Sequence, residues 1–293
     1  VRQDIRVVDA TIRDGGLCND FRFDDKFIKA LYNANVKAGV DYMEFGYKAS
    51  KEIFNEEDFG KWKFCNDADI RKIVGDNKTP LKIAVMADVG RTDFKKDIIA
   101  KKDSPIDLIR VATYINAIPA AVEMIEDAAK KGYETTINIM AVSKARTEDI
   151  TAALETLGKT PVNAFYIVDS YGALYPEESR RLADLYCSIA DKYGKSVGIH
   201  AHNNQQLAFA NTIEAMTRLS LVGSEMCIRD RVTVRLNFFS VSSRTRSIRL
   251  LLFSKSLRST PTSLRLRALS GVTIFRTFSQ VSTTHIPVLQ FSS

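Results

Sequence analysis

Between residues 5 and 217 the chain alternates, seven times over, a short β-branched or apolar run with a longer stretch of helical periodicity. Runs at 5–11, 42–45, 82–86, 108–111, 135–140, 164–168 and 196–201 read as strands. Segments at 24–37, 67–74, 93–100, 119–131, 148–157 and 176–193, and another beginning at 205, read as helices. Pro119 and Pro176 open two of them, and Gly132 and Gly158 close two, which is ordinary helix punctuation. Strands alternating with helices of this length pair in parallel through right-handed crossovers. That leaves an open doubly wound sheet or an eight-fold barrel.

The polar residues at the strand ends choose between the two. Asp14 follows the first strand, Glu44 and Arg110 end the second and fourth, Asp169 and Ser170 end the sixth, and His200 and His202 end the seventh. Chemistry spread over many strand ends belongs to a closed barrel, whose loops share one mouth, whereas an open sheet gathers it at one switch point. No glycine-rich nucleotide loop is present, so a nucleotide cofactor has no support. The expected fold is α/β, a TIM (β/α)8 barrel truncated after about seven βα units.

The formal charge of +7 suggests a nucleic-acid partner until it is divided along the chain. Residues 218–293 carry twelve Lys and Arg against two acids, which leaves residues 1–217 slightly acidic. The basicity belongs to an Arg/Ser-rich tail, and an arm that binds phosphate seldom carries bulky runs such as Leu250-Leu251-Leu252-Phe253. Arginines interrupt every stretch long enough to cross a membrane. The junction Ser220-Leu221-Val222-Gly223-Ser224-Glu225-Met226-Cys227-Ile228-Arg229-Asp230-Arg231 looks like translated adapter sequence. Residues 1–217 are therefore expected to form an incomplete barrel domain, and 218–293 a non-native tail that does not fold alone. The eighth strand is expected to be missing, unless a tail run such as 272–275 fills the gap. Cys18, Cys65, Cys187 and Cys227 show no metal-ligand spacing or disulfide framework, and no secretory signal is read at the start, so a cytoplasmic location is expected.

His200 and His202 share one strand face and can offer two imidazoles to one metal ion; two histidines lining a strand by chance is the equal alternative. Asp9-Ala10-Thr11-Ile12-Arg13-Asp14-Gly15-Gly16 could add a carboxylate. This stretch resembles the signature that opens the metal-dependent aldolase and lyase barrels, the group of 3-hydroxy-3-methylglutaryl-CoA lyase. His200-Ala201-His202-Asn203-Asn204 resembles the same group's second motif. Arg110-Val111-Ala112-Thr113 and Asp169-Ser170-Tyr171-Gly172-Ala173 are similar to the pattern of the 4-hydroxy-2-oxovalerate aldolases within it.

The resemblance implies Asp14, His200 and His202 as ligands of a divalent metal, manganese before magnesium, cobalt or zinc. It implies Arg13 as the fixed cation beside the keto oxygen where charge develops, and a small 2-oxo acid as substrate. Glu44 and Arg110 either line the mouth or tie strands together as an ion pair. Ser170 is expected to meet the substrate, and Asp169 to meet it or to fix its loop. Leu17 stands where the aldolases carry a basic histidine, so the proton acceptor must lie elsewhere, with Tyr47, Tyr114, Tyr171 or a metal-bound water as candidates. The implied reaction is cleavage or formation of a C–C bond in a 4-hydroxy-2-oxo acid through a pyruvate enolate. An acyl-CoA-condensing synthase or lyase of the same group and an inactive barrel fragment are the alternatives. No nucleic-acid or membrane partner is expected; a homo-oligomer and an aldehyde-consuming partner enzyme are both compatible with the sequence.

Overall fold

The computed structural model describes residues 5–217 in full, the helix backbone on to 219, and a strand at 226–228. The strands are β1 (Val7–Asp9), β2 (Tyr42–Tyr47), β3 (Lys82–Asp88), β4 (Leu108–Thr113), β5 (Glu134–Ile139), β6 (Ala164–Asp169), β7 (Ser196–Ala201) and β8 (Met226–Ile228). The helices are α1 (Thr11–Asn19), α2 (Asp25–Ala38), α3 (Asp67–Val74), α4 (Phe94–Asp97), α5 (Ile118–Lys130), α6 (Thr147–Gly158), α7 (Pro176–Tyr193) and α8 (Ala208–Leu219). All strand pairs are parallel, in the order β7-β6-β5-β4-β3-β2-β1-β8.

The seven βα units of a TIM-type barrel stand as the alternation predicts. The eighth strand position, expected to be empty unless a tail run such as 272–275 fills it, is taken by a different tail run, β8. It pairs with β1 through Val7 and Met226, Val8 and Cys227, and Asp9 and Ile228, and runs beside β7. The rest of the tail, including 272–275, lies outside the described residues.

Two apolar layers hold the barrel. Val8, Tyr42, Ala84, Leu108, Ala164, Tyr166 and Val168 fill its interior. A larger layer, including Ile28, Leu31, Ile83, Val85, Ile109 and Ile125, packs the outer sheet face against the helices. Strands buried on both faces carry the nearly continuous apolar runs that made them legible. Asp24 starts α2 by accepting from the Lys26 N–H, and Gly39 ends it in the left-handed conformation.

Two elements differ from expectation. The first strand, expected over 5–11, is confined to Val7–Asp9, and Thr11 already belongs to α1, where the ring of Phe21 lies so close to Gly16 that any side chain there would collide with it. Residues 93–100 form only the single turn of α4: the Asp97 side chain accepts from the Asp93 N–H, and Ile98 turns extended and is buried.

The long connection from β2 to α3 folds back over the end of β2. A Cβ on Gly46 would stand 1.9 Å from the Trp62 carbonyl oxygen. Backbone cannot yield as a flexible side chain can, so Gly46→Ala is expected to cost about 1–3 kcal/mol, read as a lower urea midpoint with an unchanged slope.

Candidate active site

Arg13 gathers the mouth of the barrel. It sits on α1 immediately after β1, is almost wholly buried, and its guanidinium reaches groups from β2 and β7. Nε donates to Glu44 Oε2 at 2.9 Å, and Nη1 forms an ion pair with Asp14 Oδ1. Tyr47 Oη lies 3.5 Å from Nη1, and His200 Nε2 lies 3.4 Å from Nη2. Burial opposes the charge, but Asp14 and Glu44 outweigh it and hold the guanidinium above the ordinary arginine range. The cation is fixed in place and in charge.

Glu44 carries a second arginine on the same oxygen. Arg110 Nη1 donates to Oε2 at 2.8 Å, and its guanidinium carbon lies 4.6 Å from the centre of the Tyr166 ring. Glu44 and Arg110 have fully buried side chains, so this is an ion pair joining β2 to β4. A carboxylate between two guanidiniums fixes their orientation; it is poorly placed to meet a substrate itself.

Asp14 Oδ2 lies 3.5 Å from His200 Nε2. His200 is buried near the end of β7, and the ring of His202, just past that end, meets it edge to face at 5.3 Å. Two donors each about 2.1 Å from one ion stand roughly 3.0–3.5 Å apart. Asp14 and His200 therefore fit a shared divalent cation in chemistry and spacing, with His202 adjacent as a further imidazole. Among the described residues no three His, Cys, Asp or Glu side chains are already gathered round a single point.

The sixth strand end is used differently. The Asp169 carboxylate accepts from the backbone N–H groups of Ala173 at 2.9 Å and Leu174 at 3.2 Å, which fixes the loop after β6. Ser170 Oγ accepts from the Ala141 N–H at 2.9 Å, bracing the loop after β5, where Ala141 is left-handed. Leu17 is 44% exposed on α1.

Of the tyrosines weighed as proton acceptors, Tyr114 and Tyr171 are exposed, and Tyr47 is buried beside Arg13. Burial pushes the Tyr47 phenol up to about 12, so it stays protonated near neutrality. Two further residues near the mouth, Lys63 and Asp88, carry no signal in the sequence pattern. Lys63 Nζ lies between 4.3 and 5.3 Å from the ring centres of Phe54, Tyr47, Phe21 and Phe59. Burial lowers its pKa, while the aromatic faces favour its ammonium form.

Fold and site together define a parallel α/β barrel whose charged centre lies at the carboxyl ends of its strands, where barrel enzymes carry their chemistry. The chain belongs to the HMGL-like family, whose profile matches residues 4–218, as the sequence resemblance implied. That family is generally metal-dependent. The chain is 24% identical over 218 residues to an oxaloacetate decarboxylase of Mycobacterium tuberculosis (strain ATCC 25618 / H37Rv), covering 71% of this chain and 60% of that protein. It is 28% identical over 217 residues to 4-hydroxy-2-oxovalerate aldolase 3 of Rhodococcus jostii (strain RHA1), covering 73% and 62%. The crystal structure of the HMG-CoA lyase from Brucella melitensis shares the fold, with a TM-score of 0.60 at 16% identity over 86% of this chain and 98% of that one. The chain thus spans about three fifths of the length of those two sequence relatives. Among the described residues no helix is long and apolar enough to cross a membrane.

Proposed function

We propose that residues 1–217 are the catalytic domain of a divalent-metal-dependent aldolase that releases pyruvate from 4-hydroxy-2-oxo acids. The observation that carries this reading is the buried Arg13 guanidinium, held by Glu44 beside the Asp14 and His200 donor pair. Asp14, His200 and His202 hold the cation, manganese first. Once bound, it supplies Lewis acidity toward the carboxylate and keto oxygens of a 2-oxo acid.

The chain's own residues do the rest. Arg13 faces the keto oxygen and stabilises the negative charge that develops there as the C3–C4 bond breaks. Glu44 and Arg110 keep the guanidinium aimed, so its charge is in place before the reaction starts. Asp169 and Ser170 shape the loops that border the 2-oxo acid. The likeness to an oxaloacetate decarboxylase supports a second reaction at the same centre, because loss of the carboxylate β to the keto group leaves the same enolate.

The full chain is tested with Mn2+ on a panel of 4-hydroxy-2-oxo acids, and released pyruvate is followed by reduction with NADH and lactate dehydrogenase. Release that EDTA abolishes and Mn2+ restores is expected. Absence of release across the panel would overturn the aldolase reading.

A further inference from the structure

Cleavage of a 4-hydroxy-2-oxo acid requires a group that takes the proton of the C4 hydroxyl, and Leu17 offers none. Most titratable groups of the mouth are already engaged. Glu44 lies between two arginines, Asp169 holds backbone N–H groups, and the Tyr47 phenol stays protonated. Lys63 is enclosed by aromatic rings.

Asp88, the last residue of β3, is placed differently. Ala84 on the same strand belongs to the barrel interior, and alternate residues of a strand share a face, so Met86 and Asp88 face inward as well. The register agrees: Met86 pairs with Arg110, whose guanidinium lies inside the barrel, and Asp88 pairs with Ala112 one step nearer the mouth. Its Oδ1 is buried and has no hydrogen-bond partner among the described residues. Arg13, Arg91 and Lys63 act on it as cations, and Glu44 as a like charge. Burial pushes its carboxyl up, and the three cations only partly offset this. A carboxylate of that kind is a better proton acceptor than one in water.

We propose that Asp88 is the general base of the cleavage, a role that rests on the aldolase reading above. Asp88 takes the proton from the C4 hydroxyl, the O–H electrons form the C=O of the departing aldehyde, and the C3–C4 pair moves into the enolate. Solvent protonates the enolate at C3, giving pyruvate, and Asp88 releases its proton to solvent, restoring the carboxylate. No oxidant, reductant or co-reactant is needed.

Decarboxylation of oxaloacetate separates this role from the metal-dependent reading, because it forms the same enolate without removing a hydroxyl proton. Full-length Asp88→Asn and the unaltered chain, both with Mn2+, are compared on a 4-hydroxy-2-oxo acid and on oxaloacetate. Asp88→Asn is expected to lose about 10²–10⁴-fold in kcat for cleavage while its decarboxylation stays within a few-fold, which also shows that the variant is folded. Asp88→Glu is expected to recover part of the cleavage. Equal loss of both reactions, or loss of neither, overturns the role of Asp88. If the unaltered chain decarboxylates but does not cleave, or does neither, the aldolase reading fails and this role with it.

Discussion

Glu44→Ala is expected to lower the unfolding free energy by about 3–5 kcal/mol. The fully buried carboxylate oxygen that accepts from both Arg13 and Arg110 is then gone, and two guanidiniums are left close together in the barrel. Breaking one partner out of a buried charge cluster costs more than the cluster contributes when whole, because the remaining charges cannot return to water. Glu44→Gln keeps the shape and an acceptor oxygen but not the charge, and it should fall between the parent and the alanine variant. The single tryptophan, Trp62, is wholly buried against the end of β2 and reports the transition by fluorescence in urea. A loss under about 1 kcal/mol would mean that the arginines are satisfied without Glu44.

The second large effect is on rate. Arg13→Ala is expected to reduce kcat for metal-dependent pyruvate release by about 10²–10³-fold, with a smaller change in KM, since the guanidinium acts on charge that grows only as the bond breaks. Arg13→Lys should recover little. A single ammonium cannot reproduce the planar fork that reaches Glu44, Asp14 and His200 at once. Stability should fall less than for Glu44→Ala, because Arg110 remains to meet the carboxylate. Steady-state kinetics at saturating Mn2+ decide the matter, and an unchanged kcat would remove Arg13 from the reaction.

The parts of the fold that were legible are those whose local chemistry and tertiary setting agree. The boundaries of α7 and β7 follow the sequence because Pro176 opens the helix, Gly194 closes it left-handed, and the run after it is buried. By contrast the periodicity assigns no element to the stretch with two adjacent glycines, yet it forms α1, with Phe21 packed on Gly16. The same division runs through the site. Arg13, Asp14 and His200 lie in motifs, and the structure brings them within 3.5 Å of one another. Asp88 follows an ordinary apolar run, and only the pairing of β3 with β4 turns it inward. Whether Glu44 and Arg110 line the mouth or tie strands depends on side-chain direction across two strands, which spacing along one chain does not encode.

The barrel has a seam, and the seam has a kinetic character of its own. Val7 of β1 pairs with Met226 of β8, 219 positions along the chain, whereas Val8 pairs with Tyr42 after only 34. By the logarithmic scaling of chain closure, the longer loop costs ~1.6 kcal/mol more entropy, and only three residue pairs of β8 offset it. This junction should close last during folding and open first in the native state. Arg13 and Asp14 follow β1, His200 stands on β7, and β8 runs between those two strands. The last seam of the barrel to shut is thus also the one that draws the two halves of the charged centre together.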